Sequence, residues 1–191
     1  MQTTPGTSLT DDTPTTPPPA RHHRILLWAA VAAFAYLLDQ ATKTWASHTL
    51  EDGQSRAIIG DLLTFHLTHN PGAAFSMGTG YTVVLTVIAL TVIVVCIRMA
   101  GRLGSTGWAI ALGLLLGGAL GNVTDRIFRA PAPFRGHVVD FIEIPHWPVF
   151  NFADTAISIA AVLFVLQSAR GVHLDGRVER RRDLDDEPTE P

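Results

Sequence analysis

The chain is short of charge and of cysteine. Charged residues make up 16% of its 191 residues, against about 25% in a typical soluble protein. The single cysteine, Cys96, excludes a disulfide framework within one chain and is interpreted as a small packing residue. The net charge of −3 lacks the basic excess typical of nucleic-acid binders, so no nucleic-acid partner is expected.

The sequence also lacks the HExxH pattern of zinc peptidases and the G-x-S-x-G frame of serine hydrolases. Histidines do occur at His66 and His69, and at His137 and His146 near Asp140. Two histidines three residues apart on a strand point to opposite faces, which makes HLTH a poor zinc site. A metal site is therefore the minor alternative, and we expect no metal and no cofactor.

Long apolar runs fill the middle of the chain, although its mean hydropathy is only +0.25. Each run approaches the roughly 20 residues that cross a bilayer, and four of them exceed the needs of a soluble helical bundle. We predict an all-α integral membrane protein with four transmembrane helices and a small extracytoplasmic region of strands and loops. Alternating apolar residues indicate a small sheet within residues 48–70, and the stretches APAPF and PHWP indicate an irregular loop over residues 126–148. The predicted spans are residues 25–46, 81–98, 107–124 and 149–169.

Polar tails flank this four-span domain, which we assign to residues 24–170. Residues 1–23, rich in Thr and Pro, are predicted to be a disordered tail. Residues 171–191 are predicted to be a polar tail, which from Asp175 onwards is disordered or begins with a short helix. Most arginines, including Arg98 and Arg102, fall on the side of the membrane that holds the termini. The excess predicts that both termini are cytoplasmic.

Polar residues collect at one end of the predicted spans, the outer end in this orientation. An ion at the centre of a membrane helix costs roughly 2.5–3.5 kcal/mol on insertion scales, so such a collection indicates function. Asp39 and Lys43 are four residues apart and can pair on one helix face. In the third span, Gly113, Gly117, Gly118 and Gly121 allow a neighbouring helix to approach closely. The collected residues are Asp39, Asn70, Asn122, Asp125, Asp140, Asn151 and Asp154.

Two carboxyl groups held close together favour hydrolysis without a metal. One keeps its proton while the other acts as a base, and together they activate water and protonate a carbonyl oxygen. Asp140 and Asp154 are the best pair, and Glu143 is a rival second carboxylate. A helix cap or a salt bridge is the other interpretation of each Asp. Asp125 suits that interpretation, with Arg126 adjacent and Lys43 expected nearby.

A small membrane transporter or proton-conducting protein is the alternative function, because buried acids also mark ion paths. Such a path needs polar residues through the full depth of the membrane. The inner halves of the predicted spans are apolar, which disfavours this alternative.

Five motifs in order then carry a resemblance to a known family. They are DQATK from Asp39, NPGAAFS from Asn70, GNVTDR from Gly121, VVDF from Val138 and FNFAD from Phe150. With four spans, the sequence resembles lipoprotein signal peptidase, or signal peptidase II, a family of bacterial aspartic proteases. The longer spacer FRAPAPFRGH and the Thr/Pro-rich tail depart from the family pattern without touching the motifs.

The resemblance implies a multi-pass enzyme of the bacterial cytoplasmic membrane whose active site lies near the outer face. Members cut diacylglyceryl-modified prolipoproteins on the N-terminal side of the lipidated cysteine and are targets of globomycin. The implied catalytic residues are Asp140 and Asp154, and the implied partners are substrate and membrane lipids around a monomer. Residues implied to line or support the site are Asp39, Lys43, Asn70, Gly72, Asn122, Asp125, Arg126 and Asn151.

Overall fold

Four long helices and one small sheet make up the protein. The computed structural model describes residues 20–50, 55–72 and 81–179. Within them, four helices are long and apolar enough to cross a membrane. The elements are α1 (Ala20–Thr49), β1 (Ser55–Ile59), β2 (Leu63–Asn70), α2 (Tyr81–Ala100), α3 (Thr106–Phe128), β3 (Val138–Glu143) and α4 (Phe152–Ala169).

The sheet makes the all-α prediction incomplete. Its three strands pair antiparallel in the order β1-β2-β3. The first two strands fall where a small sheet was expected, between residues 48 and 70. The third strand lies within residues 126–148, which their Pro-rich stretches had indicated to be irregular throughout. That prediction was wrong for VVDFIE, whose backbone pairs with a strand distant in sequence.

Helix α3 is the centre of the bundle and packs against α1, α2 and α4. Its glycines allow this close packing. A Cβ atom on Gly117 would lie 2.6 Å from the carbonyl oxygen of Ala32 in α1. A Cβ atom on Gly118 would lie 2.6 Å from the carbonyl oxygen of Ala153 in α4. The close approach predicted from these glycines is therefore confirmed.

The helix ends differ from the predicted spans for local reasons. Helix α1 has 30 residues, which span about 45 Å at 1.5 Å per residue. It is therefore longer than the hydrocarbon layer of a bilayer, which is about 30 Å thick. Its last turns carry the polar segment DQATKTWA. Helix α4 begins at Phe152 rather than at residue 149, because Phe150 pairs with Ile142 of β3 and Asn151 caps the helix.

Residues 171–179 of the polar segment after α4 form turns and a short bridge, in place of the disorder or helical start predicted from Asp175. These residues fold back on the turn between α2 and α3. The carbonyl oxygen of Leu174 accepts from the backbone nitrogen of Gly104 at 2.8 Å. The indole nitrogen of Trp108 donates to the carbonyl oxygen of Val172 at 2.7 Å. The predicted N-terminal tail is helical from Ala20, and residues 1–19 and 180–191 lie outside the described part.

A cluster of aromatic rings fixes the sheet to one end of the helices. The rings of Trp45 and Phe65 meet edge to face with centroids 5.4 Å apart. Phe141 of β3 lies 6.3 Å from Trp45 and 6.2 Å from Phe152 at the start of α4. Edge-to-face packing of this kind adds about 0.5–1.5 kcal/mol per pair beyond burial. The cluster therefore holds β3, and with it Asp140, beside the first turn of α4.

Candidate active site

The buried charges of the described residues gather at the end of the bundle that carries the sheet. Buried ions are tolerated when they are paired and fully hydrogen-bonded, because the free energy of desolvation is large. All of these charged groups belong to one hydrogen-bonded network that also contains Asn122 and Asn151. The buried charged residues are Asp39, Lys43, Asp125 and Asp140.

Lys43 lies at the centre of the network. Its side chain is 0% exposed, and Nζ lies 2.8 Å from Oδ2 of Asp39 and 2.9 Å from Oδ2 of Asp125. Nζ also donates to Oδ1 of Asn122 at 2.9 Å. Three acceptors thus surround the three protons of the ammonium group. The pairing of Asp39 with Lys43, predicted from their spacing, is confirmed.

Asp125 connects α3 to the sheet. Its Oδ1 accepts from Nε of Arg129 at 2.6 Å, and its Oδ2 accepts from the backbone nitrogen of Val139 at 3.2 Å. The expected contact with Lys43 is present, but Arg129 takes the place that sequence proximity had suggested for Arg126. The spacing of four residues between Asp125 and Arg129 was the signal that could have identified this pair.

Asp154 serves as part of the helix cap and also faces the cavity. Asn151 and Asp154 form a capping box in which each side chain accepts from the backbone nitrogen of the other, at 3.0 and 3.2 Å. The cap interpretation therefore holds for Oδ2 of Asp154. Its Oδ1 instead accepts from Nδ2 of Asn122 at 2.9 Å. The acid is thus held from two directions.

Asp140 is enclosed by two amide side chains. Nδ2 of Asn151 donates to Oδ1 of Asp140 at 2.5 Å, and Nδ2 of Asn70 donates to Oδ2 at 2.8 Å. The orientation of Asn70 follows from its NPG turn, where its Oδ1 accepts from the backbone nitrogen of Gly72 at 2.8 Å. Gly72 has a φ of 111°, which favours glycine.

The surroundings of Asp140 favour its protonated form. Burial raises the pKa of Asp140 to about 7, and the charge of Asp154 adds to the rise. The hydrogen bonds from Asn70 and Asn151 and the charge of Lys43 oppose the rise, because each of them stabilises the ionised carboxylate. A carboxyl group with such a pKa can exchange a proton near neutral pH.

The two aspartates line one cavity of about 630 Å³. Arg126 also lines it, and its Nη1 donates to the carbonyl oxygen of Asn122 at 3.3 Å. Among the described residues, the buried Nε of Arg126 has no hydrogen-bond partner. Sequence reasoning missed several other lining residues, because only the fold brings them together: Thr68, Leu85, Trp147, Val149, Phe150 and Ser158.

Of the rival residues, Glu143 and His66 make contacts away from the aspartate pair, whereas His69 lies beside it. Glu143 accepts from Thr64 at 3.0 Å, and His66 contacts the hydroxyl of Ser55 at 3.0 Å. His69 lines the cavity. Residues 20–50, 55–72 and 81–179 contain no cluster of three metal-binding side chains. The serine of NPGAAFS lies outside the described residues.

Comparison with known proteins identifies what this arrangement resembles. The model of the family described as signal peptidase (SPase) II matches residues 31–170. A lipoprotein signal peptidase of Mycobacterium leprae is 50% identical over 162 residues, 85% of this chain and 81% of the relative. A lipoprotein signal peptidase of Streptomyces coelicolor is 54% identical over 157 residues, 82% of this chain and 77% of the relative.

Solved structures of bacterial membrane enzymes, obtained by the in meso method, share the fold. One superposes with a TM-score of 0.66 at 27% identity, covering 77% of this chain and 92% of that chain. Another superposes with a TM-score of 0.68 at 25% identity, covering 85% of this chain and 94% of that chain.

Proposed function

The chain belongs to the signal peptidase II family, and from this membership we propose that it hydrolyses lipidated prolipoproteins with an aspartate pair. Membership makes it a peptide hydrolase that removes signal peptides from lipoproteins. The proposed cut lies on the N-terminal side of a cysteine that carries diacylglycerol. The observation that carries the proposed chemistry is that Asp140 and Asp154 line one cavity and share Asn151 as a hydrogen-bond donor.

The proposed reaction is a single attack by water. One aspartate, ionised, takes a proton from water, whose oxygen bonds to the scissile carbonyl carbon. The other aspartate, protonated, donates its proton to the carbonyl oxygen as the tetrahedral species forms. Collapse of that species breaks the C–N bond. The leaving amine takes the proton that the first aspartate removed from water, and a hydroxyl of the tetrahedral species returns a proton to the second aspartate. The proposal assigns the roles of base and acid to the pair rather than to either residue.

The remaining site residues support this pair in the proposal. Asn122 and Asn151 orient the carboxyl groups, and Asn70, held by the turn at Gly72, orients Asp140. Arg126 provides a positive charge at the cavity, where a polar group of the substrate would meet it. Its buried Nε, without a partner among the described residues, supports that role.

In the same proposal, the buried ion cluster of Asp39, Lys43 and Asp125 supports the start of α4. Asp39 accepts from the backbone nitrogen of Ala153 at 2.9 Å, and Lys43 joins Asp39 to Asp125. Helices α1, α3 and α4 are therefore joined through this cluster at Ala153, the residue before Asp154. In this role, the cluster keeps the start of α4 in register with the strand that carries Asp140.

Orientation in the membrane follows from charge in the proposal. The end of the bundle opposite the site carries Arg98 in the last turn of α2 and Arg102 in the turn between α2 and α3, which favours the cytoplasm for that end. Residues 24–170 then form the protease domain, with both termini cytoplasmic and the active site near the outer face. A monomer surrounded by membrane lipids can keep the lipid of its substrate in the bilayer while the scissile bond reaches the cavity.

The test is cleavage of a diacylglyceryl prolipoprotein by the purified full chain. Asp140→Asn and Asp154→Asn are each expected to lower kcat by roughly 10²–10⁴-fold, the usual range for general acid–base groups. Glu143→Gln is the matched control, because Glu143 contacts Thr64 rather than the aspartate pair. Wild-type kcat in either Asp variant would refute the aspartate pair.

Two further experiments test the alternative functions, a metal enzyme and an ion path. Activity should survive excess chelator, and loss of cleavage there would support a metal enzyme. The ion-path alternative predicts proton or cation flux in liposomes. We expect none, because the buried charges of the described residues all lie at one end of the bundle, whereas Ser105 and Gln167 at the other end are uncharged. Robust flux would count against the proposal.

A further inference from the structure

The amide side chains around the aspartate pair all point their NH₂ groups at carboxylates. An amide has an oxygen end and a nitrogen end, and a partner that can only donate decides which end faces it. The backbone nitrogen of Gly72 fixes Asn70 in this way, and the backbone nitrogen of Asp154 fixes Asn151. Oδ1 of Asn122 accepts from two groups, the ammonium of Lys43 at 2.9 Å and Nδ2 of Asn151 at 3.3 Å, and the shorter contact is the charged one.

The contact between Lys43 and Asn122 has a direct consequence for Asp154. An ammonium group has three donors and no acceptor, so only Oδ1 of Asn122 can face it. Nδ2 of Asn122 must then point to the opposite side, where it donates to Oδ1 of Asp154 at 2.9 Å. The ammonium is buried, with its other contacts made to Asp39 and Asp125. It is therefore a fixed part of the site.

We propose that Lys43 is a positioning residue of the reaction, acting through the side-chain amide of Asn122 on the carboxyl group of Asp154. This proposal rests on the proposed function of the aspartate pair. The ammonium holds the amide in the one orientation that donates to Asp154. Without it, Oδ1 of Asn122 keeps only the longer contact with Nδ2 of Asn151, so the amide is held less firmly and Asp154 loses its fixed position in the cavity.

A purely structural role makes a different prediction. In that case Lys43 only joins α1 to α3, and its loss acts equally on every part of the site. Removing Lys43 alone does not separate the two roles, because it leaves two buried carboxylates without their cation and destabilises the fold. The double variant Lys43→Gln/Asp39→Asn removes one positive and one negative charge. The pair of Asp125 with Arg129 remains intact.

The experiment is a double-mutant cycle on cleavage of a diacylglyceryl prolipoprotein by the full chain in detergent. The Lys43→Gln/Asp39→Asn change is placed in the wild-type, Asn122→Ala and Asn70→Ala backgrounds. Single-turnover rates, KM and Tm are measured for each protein. Asn70 is the matched control background, because it donates to Asp140 and contacts neither Lys43 nor Asn122 in the network described.

We expect the change to lower kcat by roughly 10- to 100-fold in the wild-type background, the scale of a small misplacement of a reacting group. KM should be unchanged, because the contacts that are lost position a reacting carboxyl group and none of them is made to the substrate. In the Asn122→Ala background the same change should lower kcat by no more than about twofold, and in the Asn70→Ala background its full effect should remain.

An equal loss in the Asn122→Ala background would overturn the proposal, since Lys43 would then act without Asn122. A rise in KM with unchanged kcat would also overturn it. If the neutral pair lowers Tm below the assay temperature, Lys43→Met/Asp39→Ala is used in the same cycle with the same criteria. Failure of the wild-type protein to cleave would refute the proposed function. If the wild-type protein cleaves but the double change and Asn122→Ala lower kcat independently of each other, only the role of Lys43 is refuted.

Discussion

Asp140 is expected to reduce the stability of the folded protein at neutral pH, and Asp140→Asn tests this. Its pKa rises from 3.8 to about 7 on folding, chiefly because the carboxyl group is buried. Between these two values the folded protein binds the proton more tightly than the unfolded chain. The stabilisation is therefore fully present below pH 3.8 and is lost as the pH rises through 7.

The size of this effect follows from the two pKa values. One pKa unit corresponds to about 1.36 kcal/mol, so a rise of about three units makes about 4 kcal/mol of unfolding free energy depend on pH. The asparagine introduced by Asp140→Asn would lack the charge but would have only one acceptor oxygen. One of the two amide donors, Asn70 or Asn151, would then face an NH₂ group, at a cost of about 1–3 kcal/mol.

The two terms predict that the effect of Asp140→Asn changes sign with pH. At pH 8 the variant should be more stable than the wild-type protein by about 1–3 kcal/mol, the difference of the two terms. At about 2–4 °C per kcal/mol, its Tm should be a few to roughly ten degrees higher. At pH 4 only the lost hydrogen bond remains, so the Tm of the variant should be lower.

Thermal unfolding of the purified protein in detergent at pH 4, 6 and 8 provides the measurement. Asp175→Asn is the control, because the side chain of Asp175 is 48% exposed, pairs with Arg177 and lies at the opposite end of the bundle. It should keep the pH dependence of the wild-type protein. A difference in Tm between Asp140→Asn and wild type that is the same at pH 4 and pH 8 would refute the reasoning.

Two glycine substitutions test the packing. In Gly121→Ala the new Cβ would overlap Oδ2 of Asp39, so we expect cleavage to fall on the order of 10²-fold by displacement of the site. Gly101→Ala, whose nearest atom is at 3.7 Å, should retain activity, and equal activity of the two would contradict the packing argument. In Gly104→Ala the Cβ would overlap a backbone oxygen of residues 171–179, so unfolding free energy should fall by about 1–3 kcal/mol. Cleavage by Gly104→Ala at a temperature where it is folded should stay at the wild-type rate, and an unchanged Tm would argue against the docked segment.

The parts of this molecule that could be predicted from sequence depend on local properties. Hydropathy is a local sum, and it identified four helices to within a few residues at most of their ends. The pairing of Asp39 with Lys43 is local as well, because it needs only one helical turn. Counting the spans placed the polar residues at the same end of the four helices. That common position indicated that their side chains could contact each other.

What could not be predicted depends on contacts between distant segments. Strand β3 exists because Val138–Glu143 pairs with β2 some seventy residues earlier in the chain, as in the pairing of Asn70 with Val138. The contact between Oδ2 of Asp125 and the backbone nitrogen of Val139 depends on that strand as well. The orientation of the Asn122 amide depends on an ammonium from α1, a contact that no local pattern records.

The capping box at the start of α4 restricts the substitutions that could make this protein resistant to a compound bound in the cavity. Asp154 closes the helix end through one oxygen and faces the cavity with the other, and Asn151 contacts both acids. A substitution that weakens binding of a compound at these residues would damage the fold and the proposed chemistry together. Resistance substitutions should therefore arise at exposed residues of the cavity wall such as Trp147, which is 65% exposed. A compound that makes no contact with these exposed residues would leave few routes to resistance.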